Sequence, residues 1–291
     1  MNWIEGLNKA ITYMEEHMTG EINYAKVAQI ACCSSYHFQR MFSYLADVPL
    51  SEYIRRRKMS LAAVDLQSEN AKVIDVALKY GYSSPTSFNR TFQSIHGVAP
   101  SRIKDDGVSI KSYPPISFKI TVKGVQEMNF RIEKKDSFRI VGVSQPLAKD
   151  YEECVQISMK MWEQAVMDGT MQKLSELLNN VPKGILGVNV CCDEQRVATY
   201  NEDWRYFIAV PSTLEKGEFE EYEVPALTWA IFPKRGDFSK ELPELLQRVI
   251  TEWLPNSGYE YANGPDIELL LPTNDIENAE FEVWIPVRIK E

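Results

Sequence analysis

Two arginines sit 50 positions apart in matching surroundings. Phe38, Arg40 and Phe42 recur as Phe88, Arg90 and Phe92, with Gln39 beside the first arginine and Asn89 beside the second. Arginine can hold a guanine edge through two hydrogen bonds, and Gln or Asn can do the same for adenine. A different chemistry is offered by Glu268, a carboxylate inside the run Asp266-Ile267-Glu268-Leu269-Leu270-Leu271. A carboxylate taken out of water without a partner is costly. A cationic ligand would relieve that cost, and aromatic rings nearby would add cation–π attraction.

The arginines need helices to present them. Phe38, Met41, Phe42 and Leu45 follow helical spacing, so one face of this segment is buried. The opposite face is expected to carry Ser35, Tyr36, Gln39, Arg40 and Ser43. In the second copy Phe88, Phe92 and Ile95 are the buried set, which turns Thr86, Asn89, Arg90 and Gln93 outward. Ser84 before Pro85 reads as an N-cap followed by the residue favoured at the first helical position. Gly81 suits the preceding turn, and Gly97 the helix end. Each copy is thus a short helix, a turn and a second helix, the unit that places a helix in the DNA major groove.

Between the copies, residues 51–66 contain neither Gly nor Pro and suit one continuous helix. Arg55, Arg56, Arg57 and Lys58 are expected to meet phosphates, which adds affinity without sequence preference. For each arginine a solvated charge is the competing reading, and phosphate rather than base contact stays open. The charge balance agrees with a DNA-binding portion fused to something else. The net charge is −9, split into +3 over residues 1–104 and −12 over the remainder.

Residues 5–104 resemble the DNA-binding domain of the AraC/XylS family of bacterial transcription regulators. The resemblance rests on Ser35–Phe42, Tyr53–Met59, Ala77–Ser84 and Phe88–Phe92, in order and spacing. It implies an all-α domain of two helix-turn-helix modules joined by a long helix, double-stranded DNA as a partner, and activation of nearby promoters with RNA polymerase as a further partner. Tyr36 stands where some relatives carry Trp, so base preference there does not transfer.

Gly107, Pro114, Pro115 and Gly124 place a junction at residues 105–127. The expected division is 1–108 for DNA binding, 109–127 as linker and 128–291 for a second domain. Beyond the junction the pattern becomes mixed. Strands are read at 130–132, 139–143, 184–190, 206–210, 220–224, 227–232, 266–271 and 280–287. One helix face is read from Val155, Met159, Trp162 and Val166, and another from Leu242, Leu245, Leu246, Val249, Ile250, Trp253 and Leu254. The order is strand-strand-helix-strand-strand, twice, an α+β domain of two pseudo-symmetric halves with a groove along their seam. Ile267, Leu269 and Leu271 are expected to face the helices, and Asp266, Glu268 and Leu270 the groove. Tyr206, Trp229, Trp284 and, less favoured, Trp162 are candidate walls, with ordinary core packing as the alternative for each.

Residues 128–289 resemble the GyrI-like effector-binding domain of multidrug-responsive regulators. The matching pieces are Gly184–Gly187, Tyr222–Pro225, Trp229–Phe232, the helix ending Trp253-Leu254, and Gly264–Leu269. The resemblance implies a small hydrophobic, cationic effector held by Glu268 at the pocket floor. Leu270 replaces a Tyr frequent in relatives. Two alternatives stay open: a protein partner for the acidic half, and a hydrolase with Glu268 as general base. Against the hydrolase, no nucleophile–base pair or phosphate loop stands out.

Cys32, Cys33, Cys154, Cys191 and Cys192 form no CxxC pair and no even framework, and the three histidines do not cluster with them. Reduced thiols in a cytoplasm, no metal and no cofactor are expected. No apolar stretch reaches the roughly 18 residues that cross a bilayer, and the N-terminus lacks a secretion-signal layout.

Overall fold

The computed structural model describes residues 3–31, 33, 35–118, 127–147, 151–191, 204–262, 264–273 and 275–290. Cys32, Cys192 and Gly124 lie outside the described residues. The chain divides into two compact units, Met1–Ile120 and Thr121–Glu291.

The first unit is helical: α1 (Trp3–Glu16), α2 (Tyr24–Ile30), α3 (Ser35–Ala46), α4 (Leu50–Leu66), α5 (Val73–Lys79) and α6 (Pro85–His96). The Asn23 side chain caps α2 by accepting from the Lys26 amide. The α5–α6 turn places Gly81 at φ +82°, and α6 ends at Gly97 with φ +80°, both costly for a residue with a Cβ. Ser84 occupies the N-cap position of α6, but its hydroxyl makes no capping bond. The α4–α6 core gathers Met59, Ala62, Ala63, Leu66, Val76, Tyr80, Phe88 and Phe92.

Residues 110–118, inside the segment read as a linker, are tied to this unit. Tyr113 donates its amide to Ser60 Oγ (2.9 Å) and gives its carbonyl to Arg57. Asn8 of α1 grips the Phe118 backbone twice, donating to its carbonyl (3.0 Å) and accepting from its amide (2.8 Å). The Phe118 ring meets Phe42 of α3 edge-on at 5.9 Å. Two prolines in succession leave few amides to satisfy, so side chains of α1 and α4 supply the partners.

The second unit holds β1 (Arg131–Lys135), β2 (Phe138–Pro146), α7 (Tyr151–Met167), α8 (Thr170–Leu177), β3 (Ile185–Cys191), β4 (Trp204–Pro211), β5 (Glu220–Val224), β6 (Leu227–Gly236), α9 (Phe238–Arg248), β7 (Tyr259–Tyr261), β8 (Asp266–Leu270) and β9 (Ala279–Ile289). A π-helical turn, Val249–Trp253, extends α9. The sheet runs β1-β6-β9-β8-β3-β4-β2-β5, all pairs antiparallel, with β7 added on β9. The order is unchanged when the halves are exchanged: β1 answers to β5, β2 to β6, β3 to β8 and β4 to β9. Each half's first strand pairs in the other half, β1 on β6 and β5 on β2. The halves meet at the β3–β8 ladder, where the counterparts Gly187 and Glu268 are direct partners.

Strand parity divides the sheet into two faces. Tyr206, Ile208 and Val210 pack with Met161 and Ala165 of α7 and Leu174 of α8 on one. Ile140, Leu186, Val188, Trp229, Ile231, Ile267, Leu269 and Trp284 form a separate cluster on the other. The buried side of α7 is Cys154, Met161 and Ala165, whereas Met159 and Val166 are exposed. The stripe expected from Val155, Met159, Trp162 and Val166 is therefore rotated, and of that stripe Trp162 reaches the sheet.

Candidate DNA-reading helices and effector site

On α6 the expected division holds. Phe88, Phe92, Ile95 and His96 are buried, while Ser84, Thr86, Asn89, Arg90 and Gln93 are exposed. The helix presents one polar stripe bearing an amide and a guanidinium, the groups that read base edges.

On α3 it does not hold. Six consecutive residues, His37–Phe42, are buried. Gln39 is 8% exposed and Arg40 only 1%, its guanidinium carbon 5.7 Å from the Tyr36 ring centre. Ser35 and Tyr36 are half-buried. A six-residue buried run encloses a helix all round, which a single apolar stripe does not foretell. Arg40 and Arg90, equivalent by sequence, thus differ in environment.

The basic run on α4 is corrected in two of the four residues assigned to phosphate. Arg57 is buried and donates Nε and Nη2 to Glu15 of α1, at 2.9 and 2.6 Å. That hydrogen bond, before Coulomb attraction, holds its pKa above the usual arginine value despite desolvation. Lys58 is half-buried and its Nζ donates to the Gly20 and Tyr80 carbonyls, the latter at 3.1 Å. Desolvation lowers its pKa. Both cations are fasteners of the fold. Arg55 is exposed and pairs with Glu52 of its own helix.

The helix-turn-helix family description matches residues 27–106. Among similar proteins is the HTH-type transcriptional activator AarP of Providencia stuartii. It is 37% identical over 35% of this chain and 76% of its own length. Regulatory protein SoxS of Salmonella typhimurium is 35% identical over 31% of this chain and 85% of its own. The chain belongs to the AraC-type DNA-binding transcription regulators. In this regulator the family described as integron-associated effector binding protein covers residues 131–287, so the second unit is a GyrI-like effector-binding domain. A solved structure of SAV2435 bound to tetraphenylphosphonium aligns with 55% of this chain and 94% of that one, at 17% identity and TM-score 0.48.

The candidate effector site is built around Glu268. Its face is the reverse of the expected one: the helices cover the side holding Glu268, because Glu268 stands opposite Gly187, whose neighbour across β4 is Ile208 beneath α7 and α8. Glu268 is half-buried in a strand otherwise buried. Tyr206 donates its hydroxyl to Glu268 Oε2 (2.8 Å), and Trp162 Nε1 donates to the Tyr206 oxygen (2.8 Å). Trp162 also meets Phe238 at the start of α9 (5.8 Å), and Phe238 meets Phe281 of β9 (5.2 Å). Tyr206 thus bonds the carboxylate, and a chain of ring contacts runs from Trp162 to Phe238 and Phe281 of the other half.

Trp229 and Trp284 do not join them. The register puts both on the opposite face, packed edge-to-face at 5.8 Å beside Ile267. Trp229 is fully buried, and the Trp284 N–H goes to Glu282 (2.8 Å). As effector walls they are corrected to core residues by strand parity. Phe238, Phe281 and Gly187 were missed. An isolated glycine within a strand pattern signals a close approach and could have found Gly187; Phe238 and Phe281 carry no such mark.

Proposed function

We propose a one-component regulator in which the exposed face of α6 reads DNA and the seam of the second unit binds a lipophilic aromatic cation at Glu268. One observation carries the effector reading: a half-buried carboxylate bonded by Tyr206, from which a chain of aromatic contacts reaches the rings of the other half. Such a site repays a ligand for desolvating a positive charge and offers π faces to it. Asn89, Arg90 and Gln93 contact base edges, with Thr86 and Ser84 on the backbone. Arg55 reaches a phosphate by exchanging Glu52 for it. Gln39 and Arg40 act only in a state that exposes them, a second state whose balance an effector could shift. The regulator acts as an activator and engages RNA polymerase, a reading supported by its similarity to AarP, itself described as an activator.

Tetraphenylphosphonium is a suitable probe, joining positive charge to aromatic bulk. Titration calorimetry on the full chain should show binding that weakens at least tenfold in Glu268→Gln, consistent with losing one charged partner. Equal binding by both proteins would refute the assignment.

A further inference from the structure

We infer that Trp162 and Gly187 are positioning residues for the Glu268 carboxylate, Trp162 acting through Tyr206 and Gly187 by leaving space. The inference deepens the effector reading above and rests on it for its functional meaning.

The direction of the hydrogen bonds is fixed by chemistry. An indole N–H can only donate, and a phenol has a single proton. Trp162 Nε1 gives its hydrogen to the Tyr206 oxygen at 2.8 Å, so the Tyr206 proton is left for Glu268 Oε2, also at 2.8 Å. Glu268 therefore meets a donor whose orientation is imposed from α7. A donor aimed at a carboxylate favours the ionised form over the acid. The donor thus favours an anionic pocket floor, which would make charge a first test for a ligand.

Gly187 supplies the room. A Cβ built there would lie 2.2 Å from the Tyr206 hydroxyl and 2.8 Å from Glu268 Oε2, closer than such atoms approach. The glycine's backbone is not left-handed, so the requirement is space alone. The hydroxyl thus lies over the one position of β3 that faces Glu268 in the ladder.

Other ionisable groups sit on the elements packed around Glu268. Asp266 shares its face two positions along and accepts from Tyr261 of β7. Lys234 of β6 pairs with Glu241 of α9 (2.9 Å). On α7, Lys160 and Glu163 flank Trp162 and are exposed.

The test needs no ligand. In the whole chain carrying carbon-13 glutamate, the Glu268 carboxyl is followed by NMR against pH, assigned by its absence in Glu268→Gln. Trp162→Phe keeps a ring and removes the donor. The Glu268 midpoint should move up by about half a unit to one unit, the shift implied by one net hydrogen bond to an ionised group. Tyr206→Phe should move it at least as far, and serves as the second variant where Trp162→Phe does not fold. Gly187→Ala should move it the same way. Unmoved midpoints in folded Trp162→Phe and Tyr206→Phe would overturn the inference.

Binding then separates this from the effector reading. Trp162→Phe should weaken tetraphenylphosphonium binding roughly three- to tenfold, while binding of neutral triphenylphosphine oxide stays within about twofold. Equal loss for both compounds would make Trp162 a wall and overturn its positioning role. Absence of tetraphenylphosphonium binding to wild type would defeat the effector reading, with the titration still deciding the positioning.

Discussion

Arg57 and Glu15 form a two-pronged ion pair between α4 and α1, with Nε and Nη2 both on the same carboxylate. The same arginine also holds the Tyr113 carbonyl, so one guanidinium joins two helices and the segment leaving them. Removing it leaves the half-buried Glu15 carboxylate with the Tyr53 hydroxyl (2.6 Å) but without its cation. Arg57→Ala should destabilise the first unit by about 2–3 kcal/mol, somewhat below the 3–5 kcal/mol of a fully enclosed pair. Lysine should restore little, lacking the planar fork. Hydrogen exchange of α1 and α4 amides would measure the loss. The salt dependence of DNA binding should keep its slope, since no phosphate contact is lost. A slope reduced by about one with stability intact would return Arg57 to the phosphate role.

Arg90 should behave in the opposite way. It is exposed on α6, so Arg90→Ala should leave stability within about 0.5 kcal/mol. DNA affinity should fall by about 1–3 kcal/mol if the guanidinium reads a guanine. Electrophoretic titration at several salt concentrations separates base from phosphate contact. Unchanged affinity and unchanged slope together would remove Arg90 from the interface.

His96 makes the first unit sensitive to acid. Its Nε2 donates to the Met59 carbonyl (3.1 Å), its ring lies 4.3 Å from Phe92, and buried Nδ1 has no hydrogen-bond partner among the described residues. Burial lowers its pKa, opposed by the Met59 bond and helped by nearby Lys111. The folded state therefore disfavours the imidazolium. Its contribution to stability is full above the unfolded value near 6.5 and declines as pH falls below it. Exchange rates of α6 amides measured between neutral pH and pH 5, corrected for intrinsic chemistry, should show this decline. His96→Leu should flatten it; the same pH slope in both proteins would sink the assignment.

Asn8 offers a local test of the docked segment. Asn8→Ala removes both bonds to the Phe118 backbone, so that amide should exchange at least tenfold faster, while α5 and α6 amides keep their rates. Unchanged protection of Phe118 would show that the ring contact with Phe42 alone holds the segment.

What the sequence conveys follows the range of the interaction. The α6 stripe is legible because Phe88, Phe92 and Ile95 and their polar neighbours lie within three helical turns. Nothing local marks Arg57 or Lys58 as structural, because Glu15, Gly20 and Tyr113 lie 38 to 56 positions away. For Glu268, alternation along β8 separates it from Ile267 and Leu269, as read. Which side the helices cover depends on how β8 pairs with β3, and alternation cannot supply that. Trp229 and Trp284 went astray for the same reason, since aromatic character says nothing about parity across a sheet. Arg40 shows the limit of repeat logic: equal sequence motifs do not guarantee equal surroundings.

The exchanged strands and the central Gly187–Glu268 pair carry a consequence for how such a site can arise. Two identical half-chains joined about a twofold axis would place the same residue at both central positions. Two glutamates would face each other as like charges; two glycines would leave no charge at all. Joining the halves in one chain lifts that constraint. A single anion can then occupy the axis, with a glycine as its empty-handed twin, and the cavity acquires a polarity that no symmetric dimer of halves could have.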